Sequence, residues 1–263
     1  MRHHATMRWG GRTGRGRWAA TAQVAVVVVC AVLAGCTPAP GASPSDQVAA
    51  SVRRPAPVVI VPGWELACET RRTDWDHWID ALVERGLPRE HVRVAFYNTC
   101  EPNLETAAMI GRVVDELLAS SGARKVNVIA HSMGAITSRW CIRFGSCAGK
   151  VDQVVTLAGA NHGTIWADLC WVQFWAQSCS DMHPESAMLQ ALNTDETPDD
   201  VGWETWVSIC ELAILPREST FLDGAVNHDL TDECVDHSGW KQHEPTIRAV
   251  TERLVPSPSS RRR

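Results

Sequence analysis

The chain has 263 residues, of which 45% are apolar and 21% are charged, and this composition excludes an intrinsically disordered protein. The net charge of the whole chain is 25 − 30 = −5. The first 35 residues hold five arginines and no acidic residue, so the remaining residues carry a net charge of 20 − 30 = −10. Such a negative charge disfavours binding to nucleic acid. The absence of a glycine period, of sustained heptads and of a second long apolar stretch excludes collagen, coiled coils and multi-span membrane proteins.

The N-terminal segment is typical of an export signal. Residues 19–35 (AATAQVAVVVVCAVLAG) are apolar, follow the arginine-rich stretch and end in small residues. Residues 33–36 (LAGC) resemble the lipobox of bacterial lipoproteins, in which the cysteine, here Cys36, is lipid-modified and becomes the new N-terminus. We therefore predict a lipoprotein signal peptide at 1–35 and an exported protein that is anchored to a membrane of the cell envelope or secreted. An ordinary cleaved signal and an uncleaved anchor are the alternatives.

Two further segments lack apolar periodicity. Residues 36–56 are rich in Pro, Ala and Ser, which indicates a flexible tether between the membrane and a folded domain. Residues 256–263 (PSPSSRRR) are predicted to be a disordered tail. The folded catalytic domain is accordingly predicted at 57–255, and we expect a monomer.

Apolar runs and helical periodicities alternate along this domain. The run APVVIV at 56–61 is typical of a strand that is buried on both faces, and Thr73 is a candidate cap for the helix that follows. The alternation predicts an α/β fold whose mostly parallel central sheet carries helices on both faces, without a large lid domain. The predicted strands are 56–61, 92–96, 125–130, 151–157 and 205–209, and the predicted helices are 73–84, 104–118, 133–144, 184–192 and 244–254.

Eight cysteines remain once Cys30 in the signal and Cys36 are set aside. In an exported protein an even number suggests four disulfides, although eight cysteines allow 105 connectivities; we expect sequential neighbours to pair. A metal site is disfavoured because CxxC pairs are absent, and we expect neither a metal nor an organic cofactor. The eight are Cys68, Cys100, Cys141, Cys147, Cys170, Cys179, Cys210 and Cys234.

The strongest functional motif is AHSMG at residues 130–134, which lies where a predicted strand ends and a helix begins. A serine on such a sharp turn exposes its hydroxyl above the sheet, and the flanking small residues let strand and helix approach closely. Ser132 is therefore the candidate nucleophile, the alternative being a simple helix cap.

A serine nucleophile needs a histidine base that is held by an acid, in the chain order Ser, acid, His. His237 is the preferred base because it stands in a short polar turn before the last helix. His162 is interpreted as a loop-ordering residue and His228 as a solvated loop residue. The later histidines are His162, His183, His228, His237 and His243.

Glu211 is the preferred acid because it follows the predicted strand at 205–209, at the edge where catalytic residues of such sheets emerge. A Cys210–Cys234 disulfide would fasten the loop of this acid to the loop of His237. The competing carboxylates are Asp181, Asp195, Asp199, Asp200 and Asp223.

An oxyanion formed at Ser132 needs two N–H donors. The backbone N–H of Met133, directly after the nucleophile, is the first candidate. The second is the backbone N–H of Trp64, in the loop VPGW at residues 61–64 after the first strand, where Gly63 permits the turn.

These segments, together with VVTLAGANHGT, FLDGA and VDHSGW, resemble the lipase class 2 family of small exported bacterial α/β-hydrolase lipases over residues 57–254. The resemblance implies Ser132 as nucleophile, Glu211 as acid, His237 as base, and Trp64 with Met133 as oxyanion donors. Pro62 stands where the family usually has His, and Glu211 stands where Asp is usual.

The residues and the resemblance favour a serine carboxylic ester hydrolase that acts on lipid or other acyl esters. An acyltransferase with the same nucleophile and a non-catalytic surface lipoprotein are the alternatives. The tryptophan-rich segment 163–180 would line an acyl groove or meet a lipid surface, or else it packs on the sheet.

Overall fold

The computed structural model describes residues 55–256, without the side chains of residues 72, 73, 173 and 174. Within this range six parallel strands form one sheet in the order β2-β1-β3-β4-β5-β6. The predicted α/β fold with a parallel central sheet is confirmed, and this range holds no large lid domain. The strands are β1 (Val58–Val61), β2 (Val92–Val94), β3 (Val126–His131), β4 (Val151–Leu157), β5 (Gly202–Ser208) and β6 (Val226–Leu230).

Helices cover both faces of the sheet, as predicted. Val58 and Ile60 of β1 pack with α1 and α7, whereas Val59 and Val61 pack with α2 and α3 on the opposite face. Because successive side chains of a strand point to opposite faces, the β1 run has to be apolar at every position. The helices are α1 (Asp76–Glu84), α2 (Asn103–Ser121), α3 (Gly134–Phe144), α4 (Ala167–Phe174), α5 (Gln177–Asp181), α6 (Ala187–Leu192) and α7 (Glu244–Leu254).

The ends of several predicted elements differ from the structure. The strand at 151–157 and the helix at 244–254 are confirmed residue for residue. The prediction that Thr73 caps the first helix is wrong, because residues 72–75 form a 3-10 turn and the cap position falls on Trp75. The helix predicted from residue 184 begins only after Ser186, whose hydroxyl accepts a hydrogen bond from the N–H of Leu189.

Three elements were not predicted. The helices α4 and α5 lie across the tryptophan-rich segment 163–180, where no helix was predicted, and β6 is an edge strand with no fully buried residue. The interpretation of His228 as a solvated loop residue is therefore wrong. Its ring stacks on Trp206 with centroids 3.9 Å apart, and its Nε2 lies 3.1 Å from Oε1 of the buried Glu204.

The eight cysteines form four disulfides between sequential neighbours, as expected: Cys68–Cys100, Cys141–Cys147, Cys170–Cys179 and Cys210–Cys234. Across residues 55–256, the helices are too short or too polar to cross a membrane. The predicted signal peptide, Cys36, the tether up to residue 54 and the tail from residue 257 lie outside the described residues.

Candidate active site

The candidate site lies where the order of the strands reverses. The chain proceeds from β1 to β2 on one side and returns to β3 on the other, so the loops that follow β1 and β3 emerge side by side at the carboxyl edge of the sheet. Such a switch point is where open parallel sheets bind ligands. The loop of Gly63 and Trp64 and the turn of Ser132 are the two loops that meet there.

The turn at Ser132 has the sharp geometry that the motif predicts. Ser132 has a φ of 55°, in the left-handed region, and it lies between the last residue of β3 and the first turn of α3. A Cβ added to Gly134 would lie 2.5 Å from the carbonyl oxygen of Pro62, so glycine alone fits there. The close approach of helix and strand thus depends on Gly134.

The structure brings Ser132, His237 and Glu211 into one hydrogen-bonded chain. Nε2 of His237 lies 2.9 Å from Oγ of Ser132. Nδ1 of His237 lies 2.9 and 3.0 Å from the two carboxylate oxygens of Glu211. Because the carboxylate accepts a hydrogen bond from Nδ1–H, Nε2 is unprotonated and accepts a hydrogen bond from the hydroxyl of Ser132.

Glu211 is anchored by backbone groups as well as by His237. Its side chain is fully buried, and Oε1 accepts hydrogen bonds from the N–H groups of Ala213 at 2.8 Å and Ile214 at 2.9 Å. These two amides hold the longer side chain of a glutamate in one position. Of the competing carboxylates, Asp181 instead accepts from Asn103, and Asp199 accepts from the N–H of Gly149.

A disulfide and a pair of buried hydrogen bonds join the loop of Glu211 to the loop of His237. The Cys210–Cys234 disulfide is the first, as hypothesised. The second is the buried Ser208, whose hydroxyl donates to the carbonyl of Val235 and accepts from its N–H at 3.1 Å. The acid and the base are therefore fixed relative to each other.

The remaining histidines have partners elsewhere. His162 has its Nε2 2.8 Å from Glu196 Oε1, which agrees with its interpretation as a loop-ordering residue. His183 lies 3.7 Å from Asp168. His243 contacts Glu233 and Thr246.

The loop after β1 lies directly against the nucleophile. A Cβ added to Gly63 would lie 2.6 Å from Cβ of Ser132. The hydroxyl of Tyr97 donates to the carbonyl of Pro62, and burial, followed by the charge of Glu65, raises the pKa of that hydroxyl, so it remains a donor. Met133 precedes the first helical residue of α3, where N–H groups have no partner within the helix.

Sequence reasoning missed two residues that position this loop. Tyr97 follows β2 and is the only tyrosine of the chain, which was the one available signal. The second is Lys241, whose Nζ lies 2.8 Å from Oε1 of Glu65. Because Lys241 follows His237 closely, this ion pair joins the loop of Trp64 to the loop of the histidine.

A second histidine at the site, the buried His131, immediately precedes Ser132. Its Nε2 lies 2.7 Å from the carbonyl oxygen of His237, and only 4% of the residue is exposed. Burial lowers the pKa of His131 well below its ordinary value of 6.5, and the charge of His237 lowers it further.

We predict that this shift makes the folded protein less stable in mild acid. Below pH 6.5, His131 is protonated in the unfolded chain but not in the folded protein. The free energy of unfolding therefore decreases as the pH is lowered, by up to about 1.4 kcal/mol per pH unit. Denaturant unfolding of the wild type, His131→Gln and His131→Phe at pH 7.5, 6.5 and 5.5 measures the slope. Both variants should show a shallower decline than the wild type, and equal slopes in all three would contradict the prediction.

Comparisons with known proteins agree with this architecture. The family model described as Lipase (class 2) matches residues 55–221.

Lipase B of Aspergillus fumigatus is similar in structure, with 16% identity and a TM-score of 0.64 over 80% of this chain and 55% of that one. The lipase BlEst2 of Bacillus licheniformis in its mature form has 15% identity and a TM-score of 0.64 over 77% and 93% of the two chains. The monoacylglycerol lipase of Paleococcus ferrophilus has 14% identity and a TM-score of 0.51 over 77% and 96%. At these identities the likeness shows the fold, which is that of the α/β-hydrolases.

Proposed function

The chain belongs to the class 2 lipase family, and on that premise we propose that it hydrolyses carboxylic esters of lipids through an acyl-enzyme on Ser132. The observation that carries the proposal is the continuous hydrogen-bonded chain from Glu211 through His237 to Oγ of Ser132. A neutral serine becomes a nucleophile when an oriented imidazole takes its proton, and this chain supplies that imidazole.

The proposed reaction proceeds in two halves. Oγ of Ser132 attacks the ester carbonyl carbon while Nε2 of His237 takes the hydroxyl proton, and the resulting oxyanion accepts hydrogen bonds from the N–H groups of Met133 and Trp64. Collapse breaks the ester C–O bond, and His237 returns the proton to the leaving alcohol. A water molecule that gives its proton to His237 then attacks the acyl group, the acid leaves, and Ser132 regains its proton. These steps need no cofactor.

An exposed apolar surface on α4 supports a lipid as the substrate. Val172 is 60% exposed and Trp175 is 77% exposed, so the alternative that this segment packs on the sheet is wrong for these side chains. Contiguous exposed apolar residues of this kind mark interaction surfaces. We call this surface the apolar face, and it consists of Ile165, Trp166, Leu169, Trp171, Val172 and Trp175.

The apolar face contacts the loop that carries the candidate acid. Nε1 of Trp166 donates to the carbonyl of Leu212 at 2.9 Å, and Leu212 directly follows Glu211 and is 71% exposed. Tryptophan suits a lipid–water boundary because its ring is apolar and its N–H is polar. A lipid surface that contacts this face would lie beside the loop that carries Glu211.

The direct test is turnover by the purified protein. We expect it to hydrolyse nitrophenyl esters in a chain-length series, and a fluorophosphonate probe to label Ser132. Failure of both would favour a non-catalytic surface lipoprotein. Acyl transfer that outruns hydrolysis in mixed water and alcohol would favour an acyltransferase instead.

Replacing residues of the apolar face should impair action on lipid but not on soluble esters. For Leu169→Ser and for Trp175→Ser we expect binding to emulsified substrate to weaken about tenfold. In the wild type, burial of either apolar side chain in a lipid surface contributes about 1.5–3 kcal/mol to the free energy of binding. Short soluble esters should be hydrolysed at the wild-type rate. The matched control is Phe144→Ser, an exposed residue at the far end of α3. An equal effect of all three variants on emulsion binding would count against the apolar face.

We also propose that the protein is a membrane-anchored lipoprotein, which the segment LAGC at 33–36 supports. Cells fed an alkyne-bearing fatty acid should incorporate it into the full chain, and Cys36→Ser should abolish incorporation and release the protein from the membrane fraction. Incorporation that persists in Cys36→Ser would contradict the assignment of the anchor.

A further inference from the structure

His131 joins the strand of the nucleophile to the loop of the base. It is the last residue of β3, directly before Ser132, and its Nε2 lies 2.7 Å from the carbonyl oxygen of His237. Its ring also contacts the ring of His237, with centroids 4.7 Å apart, and the edge of Trp75, with centroids 5.9 Å apart. The mechanism above assigns no step to this residue.

The partner of Nε2 fixes the protonation of the His131 ring. A carbonyl oxygen only accepts hydrogen bonds, so Nε2 must carry the proton. Nδ1 is buried and has no hydrogen-bond partner among the described residues. A proton on Nδ1 would make the ring a buried, uncompensated cation, which is unfavourable. His131 is therefore a neutral donor that points at the backbone of His237.

Within residues 55–256, the other contacts of the histidine loop do not hold the carbonyl of His237. Ser208 and the Cys210–Cys234 disulfide hold the residues before His237. The carboxylate of Asp236 accepts hydrogen bonds from the N–H groups of Ser238 and Gly239, which follow His237. The bond from His131 holds the peptide of His237 itself. Because His131 is covalently joined to Ser132, the same bond sets the separation of base and nucleophile.

A neutral His131 also suits the charge that forms during catalysis. His237 becomes positively charged when it takes the proton of Ser132, and a cation at His131 would oppose that charge at close range. The charge of Lys241 also disfavours protonation of His131. The ring can therefore hold His237 without repelling the imidazolium.

We propose that His131 is a positioning residue that holds the backbone of His237 through its Nε2–H, so that Nε2 of His237 stays in reach of Ser132. This inference rests on the proposed hydrolase function. It predicts that the hydrogen-bonding atom of residue 131, and not its ring, determines the rate.

The test compares His131→Phe, which keeps a ring but lacks the donor, with His131→Gln, whose amide N–H can reach the same carbonyl. For His131→Phe we expect kcat for a soluble ester to fall about 10- to 100-fold with KM changed less than threefold, because small misplacements of catalytic groups reduce rates by such factors. For His131→Gln we expect kcat within about threefold of the wild type. Fluorophosphonate labelling of Ser132 should follow the same order.

Amide hydrogen exchange of residues 235–239 gives a readout that does not depend on activity. Faster exchange is expected in His131→Phe and wild-type exchange in His131→Gln. Wild-type kcat and exchange in His131→Phe would overturn the inference, as would equal losses in both variants when both are folded. An inactive wild type whose exchange still follows the expected order would refute the proposed function and leave the positioning role supported.

Discussion

Replacing Ser132 with alanine is expected to lower kcat for ester hydrolysis by about 10⁴- to 10⁶-fold, which is the effect of removing the nucleophile of a Ser-His-acid triad. The substitution removes only the hydroxyl group, whose Oγ lies 2.9 Å from Nε2 of His237. Alanine meets the same backbone constraint as serine at a φ of 55°, so the fold should persist. Steady-state rates on a soluble ester measure the loss.

The matched control for Ser132→Ala is Ser180→Ala. The hydroxyl of Ser180 donates to the carbonyl of Gln177 in α5, away from the triad. We expect this control to keep the wild-type rate and to leave fluorophosphonate labelling intact. Wild-type turnover by folded Ser132→Ala would refute the acyl-enzyme mechanism.

The centre of the fold could be predicted because its local signals agree with its burial. The β1 residues Val58–Val61 and the turn at Ser132 are dictated by a sheet covered on both sides and by a tight strand-to-helix connection. The prediction of the triad rested on this turn and on the order of the acid and the base along the chain. The acid was ranked from its position after the strand predicted at 205–209, whereas the N–H groups of Ala213 and Ile214 that hold Glu211 could not be predicted, because no local pattern reveals them.

The periphery was harder to predict, for physical reasons that differ from element to element. The edge strand β6 covers no core face completely, so its sequence VNHDL carries no apolar run. The helix α4 exposes apolar residues instead of burying them, which removes the contrast between faces on which helix prediction depends. Tyr97 and Lys241 act through partners distant in sequence, Pro62 and Glu65.

Replacing Glu211 with glutamine is expected to lower kcat by about 10³- to 10⁴-fold while the fold persists. The amide oxygen of glutamine can still accept from the N–H groups of Ala213 and Ile214, so its NH₂ group would face Nδ1 of His237. An amide donor there requires an unprotonated Nδ1, which places the proton on Nε2. Ser132 would then face a donor and lose its base.

The comparison that tests this argument is Asp223→Asn, another carboxylate that follows β5 in sequence. The N–H of Asp223 donates to Glu196 and its carbonyl accepts from Thr197, so its backbone belongs to a separate loop. The kcat of Asp223→Asn should therefore stay within about twofold of the wild type. A loss confined to Asp223→Asn would show that Glu211 is not the acid. A large loss confined to Glu211→Gln, with an unchanged unfolding free energy, would separate the orientation of His237 from the stability of the fold, because the amide replaces the carboxylate at the same volume.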